Sequence, residues 1–220
     1  MTDRWVSFDC YGTLIDWRRG IRRELERLFG PHAAPYLLER FHELEPELQR
    51  ETYRSYRDVL RLALVRLAEE QRQELVSGEA SALADSLPRW PSFPEVAAAL
   101  EEVHRRNWRI AILSNSDRDL IAASQRQLTV PFDLVVVAED VGSYKPALGH
   151  WKRFFAESGA ERRQDVHVGA SEFHDIRPAV ELGLTSVWVN RLGEAGQAEP
   201  TREIRDLTPL PEILEEITGT

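Results

Sequence analysis

Four short segments carry side chains able to do chemistry, and each follows an apolar run. Asp9 ends Trp5-Val6-Ser7-Phe8 and is followed by Tyr11, Gly12 and Thr13. Ser114 and Asn115 end the run Arg109-Ile110-Ala111-Ile112-Leu113, and Lys145 comes shortly after Leu134-Val135-Val136-Val137. Ser171, Glu172 and Asp175 come after Val166-His167-Val168. Runs of this length, rich in β-branched and aromatic residues, read as buried strands. The ends of parallel strands are where open α/β sheets bind ligands and do chemistry. Gly12 allows a turn beside Asp9, and Thr13 adds a hydroxyl to it. Singly, each segment has a plainer reading. Asp9 or Asp175 could cap a helix, Ser114-Asn115 could do the same, and Lys145 before Pro146 could be an exposed turn residue. The order carries the signal: Asp, Ser-Asn, Lys-Pro, Asp, each after an apolar strand.

For these loops to meet, the runs must lie side by side in one sheet. From Pro88 onward strands alternate with helical stretches, which implies βαβ units and a parallel sheet. Residues 17–87 have another texture. Ile21, Leu25, Leu28 and Phe29 recur at helical spacing, as do Tyr53, Tyr56, Leu60, Leu64 and Leu67, with no strand pattern among them. The expected fold is therefore an α/β, Rossmann-like doubly wound parallel sheet built from residues 1–16 and 88–220. An all-helical block, 17–87, interrupts it just after the first loop.

Composition narrows the partners. The chain has 220 residues and a net charge of −9, which argues against phosphate-driven nucleic-acid binding and against acidic membranes. No apolar run approaches a membrane span, and the N-terminal residues do not read as a signal peptide. Cys10 is the only cysteine, so an intrachain disulfide is excluded and a cytoplasmic setting is expected. Lys145 is one of only two lysines, the other being Lys152. The expected partner is a small-molecule substrate, and the reading allows a homodimer.

Phe8-Asp9-Cys10-Tyr11-Gly12-Thr13-Leu14 resembles the first motif of the haloacid dehalogenase superfamily, whose core carries a helical cap inserted after that motif. Most members are phosphatases with a second Asp two residues after the first. Tyr11 stands there instead, and Asp-x-Tyr-Gly-Thr resembles the L-2-haloacid dehalogenase branch, which uses no metal. The resemblance implies a hydrolase that converts a small 2-haloalkanoic acid to a 2-hydroxy acid. Asp9 would be the nucleophile and form an ester. Lys145 would keep it ionised, and Thr13 and Ser114 would hold the carboxylate and the substrate. Asn115 would donate near the leaving group or substrate carboxylate, and Asp175 would position or activate the hydrolytic water. Tyr11, Ser171 and His42 would line the substrate pocket.

The chain departs from the family in three places. Ala170 stands where metal-dependent members carry an acid, Tyr11 replaces the usual second Asp, and Phe41-His42 is the best match to the aromatic-Arg pair of the dehalogenase cap. Arg40, Arg50, Arg54 or Arg57 could take over that Arg's place, and Glu172 could reach toward a metal. No cofactor is expected. The alternative is a phosphatase or phosphonatase-like enzyme with Mg²⁺ on Asp9, the Tyr11 carbonyl and Asp175. A further one is a protein of this fold that has lost turnover. Cys10 reads as a small buried apolar residue and His174 as structural, while the Arg and Glu runs of the helical block read as solvated faces.

Overall fold

The computed structural model describes residues 4–50, 52–128, 130–162 and 165–219. Six parallel strands form one sheet in the order β3-β2-β1-β4-β5-β6. They are β1 (Trp5–Phe8), β2 (Arg109–Ser114), β3 (Leu134–Val137), β4 (Asp165–Gly169), β5 (Thr185–Val189) and β6 (Arg202–Ile204). This is the doubly wound order, and its direction reverses between β1 and β4, where such sheets open a crevice. Asp9 leaves the end of β1 at that reversal.

Both faces of the sheet are covered, which explains why its strands read as continuous apolar runs. Along β1 and β2 successive side chains enter different cores. Val6, Phe8, Ile110 and Ile112 join the larger cluster with Val96, Leu100 and Val103 of α5 (Val96–Arg105) and Leu214 of α10 (Leu210–Thr218). Trp5, Ala111 and Leu113 join the smaller one with Trp151 and Phe154 of α8 (Gly149–Ser158) and Ala179 of α9 (Arg177–Glu181), and Val141 of α7 (Ala138–Val141) packs against it.

The helical block consists of α1 (Trp17–Phe29), α2 (Ala34–Arg50), α3 (Tyr56–Glu70) and the short α4 (Ala82–Ser86). Asp16 caps α1 by accepting from the Arg19 amide at 3.0 Å. Leu37, Phe41, Leu44 and Leu48 give α2 its buried stripe, and they belong to the same apolar cluster as the sheet's larger core. The sheet domain also caps α3. Asp117, in the loop between β2 and α6 (Arg118–Gln125), accepts from the Tyr56 and Arg57 amides at 2.8 and 2.9 Å, and Ser55 takes the Asp58 amide. Three amides that a helix start leaves open are thus filled, two of them from across the chain.

Two elements differ from the sequence expectation. β6 is a three-residue edge strand with only Ile204 buried, too short and polar to show a period. After β4 the chain makes a π-helical turn, Glu172–Ile176, before α9. Ser171, not Asp175, is the cap of that turn, so Asp175 is free for other work. No helix among the described residues is long and apolar enough to cross a membrane.

Candidate active site

Asp9 is buried where β1 ends, and the turn that follows holds its carboxylate. Gly12 has φ +101°, a conformation that L side chains rarely adopt, and it lets the chain fold back so that Thr13 faces Asp9. Thr13 Oγ1 donates to Asp9 Oδ2 at 2.9 Å and accepts from the Ala170 amide at 2.9 Å. The loops after β1 and β4 are tied together through this hydroxyl.

Lys145 completes the centre. Its three ammonium hydrogens are matched by three acceptors: Asp9 Oδ1 at 3.0 Å, Asp175 Oδ1 at 2.6 Å and the Leu113 carbonyl at 2.7 Å. Asn115 clasps the same residue by its backbone. The Lys145 amide donates to Asn115 Oδ1 at 2.6 Å, and Asn115 Nδ2 donates to the Lys145 carbonyl at 3.0 Å. Asp175 packs against Gly169, where a Cβ would lie 2.4 Å from that of Asp175. Only glycine leaves room for this carboxylate.

Two acids share one ammonium, and the electrostatics follow. Burial pushes Asp9 up to about 6, Lys145 opposes that, and the Asp175 charge adds to it. Burial also works against charged Asp175, but Lys145 and then His167 outweigh it and hold this carboxyl well below the usual range. The Lys145 ammonium is disfavoured by burial, yet the two carboxylates raise its pKa above the ordinary lysine value. Near neutral pH the centre therefore holds two carboxylates and one ammonium.

Above this centre lies a cavity of about 800 Å³. Its floor is Asp9, Ser114, Asn115, Lys145, Ser171 and Asp175, and its roof comes from the helical block through Trp17, His42, Glu45, Gln49, Arg50 and Tyr56. The loops after four strands thus meet at one place, under residues from α1, α2 and α3.

A family model for haloacid dehalogenase-like hydrolases matches residues 4–183. The chain belongs to this family. The (S)-2-haloacid dehalogenase of Pseudomonas sp. (strain YL) is 29% identical over 227 residues, covering 97% of this chain and 95% of that protein. (S)-2-haloacid dehalogenase 4A of Burkholderia cepacia is 25% identical, covering 89% and 87%. The fold is shared with the L-2-haloacid dehalogenase of Xanthobacter autotrophicus, whose structure has chloropropionic acid covalently bound. The two superpose with a TM-score of 0.87 at 21% identity, over 97% of this chain and 99% of that one.

Within this haloacid dehalogenase-like hydrolase, the residues expected from sequence fall into three groups. Asp9, Thr13, Lys145 and Asp175 are linked directly by the hydrogen bonds above. Ser114, Ser171, Tyr11 and His42 line the cavity and make no side-chain hydrogen bond to Asp9 among the described residues. The Ser114 hydroxyl is buried and has no hydrogen-bond partner among the described residues. Ser171 Oγ is engaged with His174, and the Tyr11 hydroxyl lies 3.1 Å from Ser124 Oγ. His42 lies against Trp17, with ring centroids 5.7 Å apart. Asn115 also lines the cavity, and its hold on the Lys145 backbone uses Oδ1 and one of the two Nδ2 hydrogens, leaving the other. Cys10 is buried and burial pushes its thiol up, as a small apolar residue requires.

The four arginines weighed for the cap separate cleanly. Arg40 pairs with Glu43 and Glu70, Arg57 pairs with Asp119 and Asp85, and Arg54 is absent from the cavity lining. Arg50 lines the cavity and has no ion-pair partner among the described residues. Glu45, not expected from sequence, lines it too. The signal was its spacing: His42, Glu45, Pro46 and Gln49 form a stripe at i, i+3, i+4 and i+7, beside the apolar one.

The residues do not fit a magnesium site. The ammonium of Lys145 already bridges Asp9 and Asp175, and Ala170 offers a methyl group where an acid would be needed. The Glu172 carboxylate is taken by Arg177 at 2.7 Å and by the amides of Gln197 and Ala198 at 2.8 Å. Mg²⁺ requires several oxygen ligands in near-octahedral array. Among the described residues no group of three or more His, Cys, Asp or Glu is arranged to hold an ion.

Proposed function

We propose that the protein hydrolyses the carbon–halogen bond of a small 2-haloalkanoic acid, giving the 2-hydroxy acid, halide and a proton. The observation that carries this is the buried Asp9–Lys145–Asp175 centre, in which an ammonium does the charge balancing that a metal does elsewhere. The relatives over nearly the whole chain support the same reaction. Asp9 attacks C2 of the substrate, the carbon–halogen bond breaks, and the halide leaves with the bonding pair. Water, deprotonated toward Asp175, then adds to the ester carbonyl of Asp9. The intermediate collapses, Asp175 returns the proton to the departing alkoxide, the 2-hydroxy acid leaves, and the Asp9 carboxyl releases its proton to restore the carboxylate.

In this reading residues 17–87 are the cap and the sheet domain is the core. Arg50 receives the substrate carboxylate, the Ser114 hydroxyl donates to substrate, and the cap keeps bulk water from the ester. Reduced, buried Cys10 suits a cytoplasmic enzyme.

The test is a panel of 2-haloacids and phosphate esters, each with excess EDTA and with Mg²⁺. Halide release from a haloacid should persist in EDTA and gain nothing from Mg²⁺. A halide is a stable leaving group, whereas phosphoryl transfer leans on a cation. Turnover of a phosphate ester that EDTA stops and Mg²⁺ restores would overturn the proposal.

The pH dependence should show one acid limb from Asp9. Only its carboxylate attacks, so kcat/KM should fall as pH drops through about 6. Asp175 stays ionised below that, and His174, pushed down to about 4 by burial, stays neutral above it. Glu45 is pushed up to about 7 by burial and titrates nearby. Glu45→Gln removes that group, and the limb near 6 should persist in it. A profile flat from pH 5 to 8 in that variant would contradict the assignment.

A further inference from the structure

The reaction described above leaves one half-buried acid of the cavity without a task. Glu45 projects from α2 into the cap wall, where Tyr56 Oη donates to its Oε1 at 2.7 Å. It has no ion-pair partner among the described residues. Its neighbours on the helix behave differently: Glu43 pairs with Arg40, and Glu47 is exposed. The Tyr56 ring stacks on that of Tyr11 with centroids 6.2 Å apart and planes 19° off parallel. Tyr11 is two residues from Asp9, so an aromatic wall runs from the nucleophile's loop to Glu45. Trp90 closes the back of that wall edge-on to Tyr11.

A carboxyl set in such a wall without a counter-charge is costly. Burial raises its pKa, and the charge of Asp9 raises it further. An alkyl side chain would seat the hydrocarbon tail of a plain haloacid without that cost, and Tyr56 needs only one of the two carboxylate oxygens. The second oxygen has no hydrogen-bond partner among the described residues, and Glu45 lines the cavity. We propose that Glu45 is a specificity residue: it accepts a hydrogen bond from a donor, a hydroxyl or an ammonium, carried on the substrate chain beyond the reacting carbon. The proposal takes the reacting end of the substrate from the dehalogenase reading and adds the chemistry of the far end. Arg50 and Glu45 then divide the recognition, one for the carboxylate and one for the donor.

Product-like acids test this by calorimetry at pH 8. Lactate is compared with glycerate, and 2-hydroxybutanoate with its 4-hydroxy and 4-amino derivatives. At one chain length or both, the wild type should bind the donor-bearing acid about tenfold tighter or more, as a hydrogen bond to a charged group allows. In Glu45→Leu that gap should shrink to less than about twofold. Glu45→Gln distinguishes the two donors, since an amide still accepts from a hydroxyl but no longer balances an ammonium. It also carries the test if the Leu variant fails to fold, because the 4-amino preference must then fall. Equal binding by the wild type, binding of neither kind, or a gap that survives both variants would overturn the proposal. A parallel assay on 2-chlorobutanoate and its 4-hydroxy derivative reads the dehalogenase step separately. If neither is consumed while the Glu45-dependent gap stands, the reaction is misassigned and the specificity residue is not.

Discussion

Asp9→Asn should lose at least about four orders of magnitude in kcat, which is about 5 kcal/mol of barrier. An amide nitrogen or oxygen is a poor nucleophile at saturated carbon, and no other side chain of the centre can replace it. Asp175 is fixed on Lys145, and Cys10 is buried with its thiol pushed up. The fold should survive. Asn keeps an acceptor for Lys145, the ammonium keeps Asp175 and the Leu113 carbonyl, and burial already disfavours the Asp9 charge. A thermal midpoint close to wild type would separate lost chemistry from lost structure. The companion measurement is a single turnover in ¹⁸O-water with the wild type. Water attacks the ester carbonyl, so peptide mass spectrometry should find the label in the Asp9 carboxylate, and the product should carry an unlabelled oxygen. Label appearing in the product alone would mean direct attack by water and would remove Asp9 as nucleophile.

The strand-end Asp9 and its turn were legible because their signals are local. An apolar run ending in Asp, then Gly at a positive φ and Thr, is a strand, a turn and a hydroxyl, and each follows from residue type. The sheet was legible for a related reason: strands buried on both faces announce themselves as unbroken apolar runs. The contact between Asp9 and Lys145, 136 residues apart, needed the family resemblance. Asn115 shows what a motif leaves open. Its type and place suit a donor to substrate, but whether a strand-end amide turns to the cavity or to a neighbouring backbone depends on a loop 30 residues away. Glu45 was hidden for the opposite reason. Glutamates on an amphipathic helix are usually solvated, and only the packing of α2 over the strand ends turns one of them inward. The same packing selects Arg50 from four similar arginines, and no property of the isolated helix makes that choice.

Lys145→Met should lower kcat by about three orders of magnitude and also change its pH dependence. Methionine keeps most of the volume and removes the charge. Asp9 and Asp175 then face each other in a buried site with no cation between them, and such a pair holds one proton strongly. At neutral pH the nucleophile is protonated much of the time. The residual activity should therefore rise with pH, with an acid limb above 7 where the wild type has one near 6. A merely structural role for Lys145 would lower activity without moving that limb. Stability should respond with the matching sign. In the variant the pair's folded-state pKa lies above the unfolded carboxylate value, so its stabilising contribution is present at low pH and lost as pH rises through the raised value. The deficit in thermal midpoint against wild type should be small at pH 5 and larger at pH 8. Stranding the acids without their partner costs on the order of 3–5 kcal/mol before protonation relieves it. Lys145→Arg should recover little of the rate. A planar fork cannot send three hydrogens to Asp9, Asp175 and the Leu113 carbonyl from one nitrogen. Near-wild-type kcat in Lys145→Met, with the limb still near 6, would take Lys145 out of the catalytic centre.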